Sequence, residues 1–386
     1  MILFISYSYN LIKNILRNRH NFYNKIIRFE KKQNITQYEI QKFLSINSKN
    51  ILIDREKYKR NNNPDISIIV TMYNQGHYIH KCLRSIQNQS LKNIEIIIID
   101  DCSLDNSTDI IESYQKEDNR IILVKHESNE GKIKSRTDGI KIAKGKYITI
   151  IDGDDAFIHN NILFNSLYIS NLANLDIVEF KCSLYRNGTF KGIINNYNEL
   201  KITNLVYQPE LRTKFLYTGI RAQSRNICFK LIKNEIFQKA LIYIGQKYTE
   251  DYIQVYEDTI MAIAIIQIAE SYYLMNQVGY YYSKDEFPTR LPILKNKKCK
   301  PNRKIKKIGQ LKLLQFLAEK TKNNKNEKQM LYREMIFFHY FTNFSKYIED
   351  MNNLYDIMIN SKYISTKQKE KIKLFKVQLK AIKKYI

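Results

Sequence analysis

Cysteines are few and widely spaced in this sequence. The five of them, at positions 82, 102, 182, 228 and 299, are an odd number and form no C-x-x-C pair. That spacing argues against a disulfide framework and against a structural zinc site. Stability must come from a buried apolar core, and a chain of 386 residues that is 44% hydrophobic is long enough to form one.

Long apolar runs are also absent. The first run, Met1–Ile5, stops at Ser6, and the apolar residues that follow it up to Arg17 are scattered. This falls short of the roughly 20 apolar residues of a membrane span, and it lacks the basic-then-apolar order of a signal peptide. The spacing predicts an amphipathic helix, which either packs on the protein's own core or lies on an anionic membrane surface.

Motifs of nucleic-acid-binding proteins are missing as well, since the chain has no helix-turn-helix, RNA-recognition or zinc motif. The net charge is nevertheless +25, and it is concentrated at the ends. Residues 1–64 carry +9 and residues 291–386 carry +17, whereas residues 65–290 carry −1. Basic ends of this kind attract phosphate, either in nucleic acid or in anionic lipid.

From residue 65 onward, short β-branched runs alternate with amphipathic segments. Helices are predicted at 77–87, from the Asp105–Thr108 capping cluster to residue 114, and at 134–143. They alternate with strands predicted at 66–71, 94–99, 120–125 and 147–151. This order indicates an α/β fold, with a mostly parallel sheet that is covered by helices on both faces.

Three carboxylates follow the fourth predicted strand, because Asp152, Asp154 and Asp155 come directly after the apolar run Tyr147–Ile151. Ligands of open α/β sheets bind beyond the carboxyl ends of the strands. Acids crowded there repel one another unless a cation compensates, and oxygen-only ligands suit Mg²⁺ or Mn²⁺. The alternative is a solvated acidic turn, since Asp and Gly are ordinary turn residues.

The order of motifs in this region resembles glycosyltransferase family 2. The resemblance rests on five stretches in the family's order and spacing: Ser67–Asn74, Leu83–Ser90, Glu95–Asp105, Asn129–Arg136 and Gly145–Asp155. It implies a GT-A fold, which is Rossmann-like, and an inverting enzyme that depends on a nucleotide sugar. It extends more loosely to about residue 282 and covers neither the first 60 nor the last 95 residues.

The resemblance also implies a nucleotide-sugar site, in which the loop after the first strand forms a wall for the nucleoside and two acids at the end of the second strand hold uracil and ribose. The matching residues are Thr71, Tyr73, Asn74, Asp100, Asp101, Arg136 and Asp152. An ionised carboxylate accepts strongly from a ribose hydroxyl or a base N–H, and a guanidinium suits a diphosphate or a carboxylate.

Two of these residues have a structural alternative. Asp101 could instead cap the helix that follows it, and Arg136 could form a surface ion pair with Asp138 or Glu130. The stretch Lys134–Asp138 departs from the family, which usually has a small residue before the arginine and Asn after it. The register of the Arg136 contact is therefore left open.

In the family, the acidic motif after the fourth strand binds a divalent ion. By resemblance, Asp154 is expected to be the principal ligand, with Asp152 and Asp155 beside it, and the ion to be Mn²⁺ or Mg²⁺. Its role would be to neutralise charge on the leaving nucleoside diphosphate.

An inverting transfer also needs a carboxylate that takes the proton of the acceptor hydroxyl. The Glu-Asp pair that the family places downstream occurs twice, as Glu250-Asp251 and as Glu257-Asp258. An apolar helix follows the second pair, so Asp258 is expected to open that helix in a buried setting and to be the base. Asp251 is held in reserve, and the alternative for Asp258 is a helix N-cap without chemistry.

These observations together predict three parts: a basic helical extension at 1–64, a GT-A catalytic domain at 65–285 and a basic helical region at 286–386, with helices at 308–320, 327–348, 352–360 and 366–386. The predicted function is metal-assisted transfer of a hexosyl or N-acetylhexosaminyl group, with inversion, from a UDP-sugar to a glycan, lipid-linked or protein acceptor. The predicted location is the cytoplasm, with peripheral contact to an anionic membrane as one option. The alternative is a basic membrane-surface or nucleic-acid-binding protein that uses the fold to bind a nucleotide without transfer.

Overall fold

Four isoleucine-rich strands form one half of the central sheet. They are β1 (Ile66–Met72), β2 (Ile94–Asp100), β3 (Ile121–Lys125) and β4 (Tyr147–Asp152), arranged in the order β3-β2-β1-β4 with every pairing parallel. β1 and β2 are buried along their whole length, as expected for a sheet that is covered on both faces. The four predicted strands are confirmed to within one residue at each end.

This architecture is that of a computed structural model. The residues that it describes are 61–186, 188–194, 205–217, 226–284, 303–320, 348–361, 364–373 and 376.

Helices connect the parallel strands and pack on the sheet: α1 (Ile79–Gln87), α2 (Ser107–Glu117) and α3 (Lys132–Ile142). α3 approaches β1 very closely, because a Cβ atom on Gly139 would lie 2.6 Å from Cγ2 of Ile69. The ends of these helices differ from the predicted ones by at most three residues, which is usual where terminal turns fray.

The other half of the sheet is mixed. β9 (Lys230–Lys233) runs antiparallel to β4 and to β6 (Ile177–Arg186), and β10 (Ser271–Ser283) runs parallel to β6. Three short strands complete it, all antiparallel to their partners: β5 (Ala156–Phe157) and β8 (Leu205–Tyr207) on β10, and β7 (Thr189–Ile193) on β6.

The helices of this half include α8 (Glu257–Ile268), which is apolar on all sides and buried from Ile260 to Ile266. The others are α4 (Ile162–Ala173), the short α5 (Glu210–Arg212) with a π-helical turn at Thr213–Tyr217, α6 (Asn234–Ile244) and α7 (Gln246–Thr249). The predicted fold class, α/β with helices around a large sheet, is confirmed.

Toward the C-terminus, α9 (Arg303–Lys320) packs on α8, and α10 (Ile348–Ile359) packs on α9. Residues 366–373 are also helical. Residues 1–60 of the predicted N-terminal extension, the predicted helix at 327–348 except its last residue, and the predicted helix at 366–386 beyond residue 373, apart from residue 376, lie outside the described residues. Within the part of the chain that the structure describes, no helix has both the length and the apolar character needed to cross a bilayer.

Candidate functional site

The carboxylates that follow β4 come together as the sequence predicts. Asp152 is the last residue of β4, and a tight turn, in which the Asp155 N–H donates to the Asp152 carbonyl at 2.9 Å, brings the next acids back beside it. One carboxylate oxygen from each of Asp152, Asp154 and Asp155 lies within 4.8 Å of the others. The alternative of a solvated acidic turn is wrong, because Asp155 is only 2% exposed and the other two are partly buried.

Asp152 already has cationic partners. Its Oδ1 accepts from Nη2 of the buried Arg136 at 3.0 Å and from the Thr71 hydroxyl at 3.3 Å, while its Oδ2 lies 3.4 Å from Nζ of Lys132. Lys132 begins α3, and its side chain is half-exposed. Asp152 therefore lies between two positive charges and has less need of a further cation than its neighbours.

Asp155 is held by strand β10. The Tyr280 hydroxyl donates to its Oδ2 at 2.7 Å, and the Ser283 N–H donates to its Oδ1 at 3.0 Å. Both oxygens thus have protein donors, and β10 holds the cluster at Asp155 as Arg136 holds it at Asp152. No comparable side-chain donor to the Asp154 carboxylate lies among the described residues.

Charge repulsion within this cluster shifts the pKa values of its carboxyl groups. Burial, and then the neighbouring Asp152, raise the pKa of Asp154 to about 6, and burial together with Asp154 raises the pKa of Asp155 well above its usual range. Burial alone would raise the pKa of Asp152 too, but Lys132 and then Arg136 outweigh it and hold that pKa below its usual value. Asp154 and Asp155 are therefore the acids whose charged forms lack compensation.

The donor set is compatible with a hard divalent cation. It consists of carboxylate oxygens only, spaced so that one ion could reach all three, and two of the three carboxylates have raised pKa values. Mg²⁺ and Mn²⁺ prefer such oxygen ligands, and a bound cation would relieve the repulsion.

The two acids at the end of β2 hold loops of the protein. Asp100 accepts from the Ser103 N–H at 2.9 Å and from the Thr108 hydroxyl at 2.5 Å, which ties it to α2. Asp101 accepts instead from the N–H groups of Glu130 (2.7 Å) and Gly131 (3.0 Å), just before α3. The alternative in which Asp101 caps α2, the helix that follows it, is therefore wrong. Its carboxylate accepts from N–H groups just before α3 instead.

The loop after β1 lies beside these acids. Asn74 has a left-handed backbone (φ 52°), which Asn tolerates better than most residues. Its Oδ1 accepts from the Leu104 N–H at 2.7 Å, and its own N–H donates to the Ser103 hydroxyl at 2.9 Å. This turn leaves Tyr73 43% exposed, whereas Thr71, near the end of β1, is buried.

Arg136 joins two parts of the site that are far apart in sequence. Besides its bond to Asp152, its Nη1 donates to Oε1 of Glu257 at 3.0 Å, and both side chains are almost fully buried. Its Nε is buried without a hydrogen-bond acceptor among the described residues. The alternative of a surface pair with Asp138 or Glu130 is wrong, because the Arg136 guanidinium is buried and pairs with Asp152 and Glu257.

The two Glu-Asp pairs have different surroundings. Asp251 forms an ion pair with Lys312 of α9, with 2.5 Å between Oδ2 and Nζ. Asp258 is the second residue of α8, and Tyr256, not Asp258, is the N-cap. No hydrogen bond or ion pair to the Asp258 carboxylate lies among the described residues, so the N-cap alternative is wrong.

One expectation for the second pair needs correction. Asp258 is partly exposed, whereas Glu257 is the buried member at 4% exposure. Burial and the adjacent Asp258 raise the pKa of Glu257 to about 7, against the opposing effect of Arg136. The two side chains point in different directions because successive helical residues are about 100° apart. The side chain that contacts the buried Arg136 is that of Glu257.

Sequence reasoning missed Lys132, Glu257 and His126 as parts of the site. His126 contacts Asp101, with 2.9 Å between Nδ1 and Oδ1. Lys132 did carry a signal, since a lysine in the first turn of a helix opposes the helix dipole and is unusual there without a nearby anion. Glu257 and His126 had no local signal, because their partners are distant in sequence.

Comparisons with known proteins identify the family of this chain. Residues 67–163 match the family described as Glycosyl transferase family 2. The chain is 30% identical over 233 residues to Glycosyltransferase GlyG of Streptococcus pneumoniae serotype 4, a match that covers 58% of this chain and 74% of that protein. It is 30% identical over 223 residues to the uncharacterized glycosyltransferase EpsJ of Bacillus subtilis, with 58% of this chain and 62% of that protein covered.

Among solved structures, S. aureus TarS 1–349 in complex with UDP-GlcNAc is similar over 82% of this chain and 89% of that chain, with a TM-score of 0.59 and 16% sequence identity. A similarity at this level of identity supports the fold alone. The fold, the motifs and the match to GlyG lead to one assignment: this chain belongs to glycosyltransferase family 2 and is a glycosyltransferase.

Proposed function

We propose that this glycosyltransferase transfers a sugar from a nucleotide sugar, most simply a UDP-sugar, to a hydroxyl acceptor with inversion of the anomeric carbon. The observation that carries the proposal is the double contact of Arg136. Because one buried guanidinium binds both Asp152 and Glu257, it brings the acidic cluster after β4 next to the helix that carries Asp258. A donor site and a base are thus joined through a single side chain.

The donor's nucleoside would lie against the end of β1 and the loop that follows it, where Tyr73 is exposed and where Thr71, in β1, and Asn74, in the turn, are buried. Asp100 and Asp101 would hold uracil and ribose. Both oxygens of Asp100 and Oδ2 of Asp101 have a second lone pair beyond their bond to the protein, and the protein bonds fix the direction of the carboxylates. The complex of TarS with UDP-GlcNAc is consistent with a donor of this class.

The diphosphate would lie at the acidic cluster with a divalent cation, Mn²⁺ or Mg²⁺. Asp154 would be the principal ligand because its carboxylate is the least committed to protein donors, and Asp152 and Asp155 would complete the oxygen set. A bound cation would supply charge neutralisation for the leaving nucleoside diphosphate. Lys132 and Arg136, both adjacent to Asp152, would add positive charge on the same side.

Asp258 would act as the general base. As the acceptor oxygen bonds to the anomeric carbon and the bond from that carbon to the diphosphate breaks, the acceptor hydroxyl's proton passes to the Asp258 carboxylate. A carboxylate without a partner among the described residues is free for this role, whereas Asp251 is engaged by Lys312. General-base catalysis typically contributes about 10²- to 10⁴-fold.

For the acceptor, the basic ends favour an anionic surface. With net charges of +9 and +17 in residues 1–64 and 291–386, the chain would concentrate near anionic lipid, which suits a lipid-linked glycan as the acceptor. A glycan or a protein remains the other class of acceptor. Cytoplasmic placement at a membrane face belongs to the same proposal.

A donor screen tests the proposal directly. Hydrolysis of UDP-, GDP- and TDP-sugars is followed as nucleotide release by the full chain, with Mn²⁺, with Mg²⁺ and with excess chelator. We expect release from a UDP-sugar that requires a divalent ion and is lost in Asp154→Ala, while Asp109→Ala, an acid outside the cluster on α2, serves as the matched control. Full turnover in chelator would contradict the metal role, and turnover with a GDP-sugar alone would reassign the donor.

A further inference from the structure

The segment that leads into α8, residues 251–256, is in contact with the donor side of the site. The Ile133 N–H in the first turn of α3 donates to the Ile253 carbonyl at 3.3 Å, and Nε2 of Gln254 donates to Oδ1 of Asn129 at 2.9 Å. Ile253 itself is fully buried. The segment therefore rests on the same turn whose N–H groups bind Asp101.

On its other side, the segment is held by α9, at a glycine in the middle of that helix. A Cβ atom on Gly309 would lie 2.2 Å from the carbonyl oxygen of Val255 and 3.1 Å from its carbonyl carbon. Glycine weakens the interior of a helix, so its presence needs a reason. Here the reason is a backbone-to-backbone approach that any side chain would prevent.

One turn further along α9, Lys312 secures the beginning of the same segment through its ion pair with Asp251. α9 therefore contacts residues 251 and 255 from a single face, since positions 309 and 312 are neighbours on a helix surface. At the C-terminal end of α9, Glu319 pairs with Lys247 of α7, the short helix just before residues 251–256.

The end of this segment has an unfavourable backbone conformation. Tyr256, the N-cap of α8, has a φ of 70°, a left-handed value that bulky residues rarely adopt. Such a conformation persists only where its surroundings determine it. Because Asp258 comes two residues later, the direction of its side chain depends on what holds Val255 and Tyr256.

We infer that α9 is a positioning element of the active site, in which Gly309 and Lys312 hold residues 251–256 so that Asp258 faces the acceptor. The inference rests on the proposed role of Asp258 as the base. It assigns a catalytic task to a helix that lies outside the family match at 67–163. Gly309 contacts Val255 and Lys312 contacts Asp251, so both would act through the segment as positioning residues.

The test uses the full chain and UDP release from the UDP-sugar that the donor screen identifies. Gly309→Ala pushes the Val255 carbonyl away and should lower kcat by about 10- to 10²-fold, since a misplacement near 1 Å has that size of effect. The KM for the donor and the affinity for UDP should stay near wild type. Lys312→Met should lower kcat less and Lys312→Arg should restore it, whereas Lys320→Met, the same change at the far end of α9, should have no effect.

A double variant separates positioning from general damage. If α9 acts through Asp258, Gly309→Ala should cost nothing further in an Asp258→Asn background, because the group that it positions is already disabled. An equal loss in both backgrounds would overturn the inference, as would unchanged kcat in both Gly309→Ala and Lys312→Met while Asp258→Asn is inactive. If Asp258→Asn itself keeps normal turnover, the proposed base is wrong and the inference falls with it. Should Gly309→Ala fail to fold, Lys312→Met and its rescue by arginine decide the matter.

Discussion

The pair Glu250-Asp251 and the pair Glu257-Asp258 are the same dipeptide seven positions apart, but their partners differ in kind. Glu250 lies near the surface and pairs with Lys134 and Lys141, and Asp251 pairs with Lys312. Glu257 is buried against Arg136, and Asp258 has no partner among the described residues. Identical dipeptides thus differ in what they can do. Lysines that are distant in sequence neutralise both acids of the first pair, whereas Asp258 has no ion-pair partner among the described residues and can accept a proton.

The largest difference is expected in turnover. Asp258→Asn should lower kcat by about 10²- to 10⁴-fold, the usual contribution of a general base, with donor affinity nearly unchanged. Asp251→Asn should lower it only as much as Lys312→Met does, since both lose the same ion pair. Steady-state kinetics of UDP release, together with UDP affinity measured by calorimetry, gives both quantities. If Asp251→Asn shows the larger loss, the roles of the two pairs are reversed.

The second difference concerns stability. Arg136→Met leaves the buried Glu257 and the partly buried Asp152 without their common partner, and should lower the free energy of unfolding by about 3–5 kcal/mol. Lys141→Met removes an exposed partner of Glu250 and should cost at most about 1 kcal/mol. Urea denaturation of both variants measures the gap. Equal losses of stability in the two variants would mean that the burial of the Arg136–Glu257 ion pair has no energetic consequence.

The third and smallest difference is the sign of the pH dependence. Glu257 has its pKa raised to about 7, so the folded protein keeps its proton between about pH 4.5 and 7 while the unfolded chain loses it. Its contribution to the free energy of unfolding therefore falls as the pH rises through that window, by no more than about 3 kcal/mol. Glu257→Gln should flatten this decline, although Asp154, whose pKa is also raised, retains part of it.

Glu250 should behave in the opposite way. The hydrogen bond from Lys141 is the main reason that its pKa lies below the usual value of 4.5. Its stabilisation is present above pH 4.5 and is lost as the pH falls through the folded-state pKa. Glu250→Gln should leave the window from 4.5 to 7 unchanged and reduce the loss at lower pH. Denaturation curves between pH 3 and 8 for both variants check the two signs.

Much of the fold could be predicted because its first half has strong local signals. The isoleucine runs of β1, β2 and β4 gave strand ends to within one residue, and the β-α alternation gave parallel pairing. The second half gave no such signal: β9 has only four residues and takes its place between β4 and β6 through contacts far apart in sequence. Local patterns do not specify pairings of that kind.

The site divides in the same way. The carboxylates after β4 follow one another in sequence, so their proximity could be predicted. The partner of Arg136 could not, because Glu257 is 121 positions away and the sequence offered Asp138 and Glu130 as nearer acids. The same reason hid the burial of Glu257, the partial exposure of Asp258 and the contact between Gly309 and Val255.

The central claim is that the carboxylates after β4 form a site for a nucleotide and a divalent ion. The most direct test is the thermal stability of the full chain with UDP, measured with Mn²⁺ and with excess chelator, in the wild type and in Asp154→Ala. With Mn²⁺, the wild type should gain about 2.7 kcal/mol when UDP is at 100 times its Kd, and the gain should fall sharply in chelator and in the variant. An equal gain under all of these conditions, or none at millimolar UDP with Mn²⁺, would contradict the account.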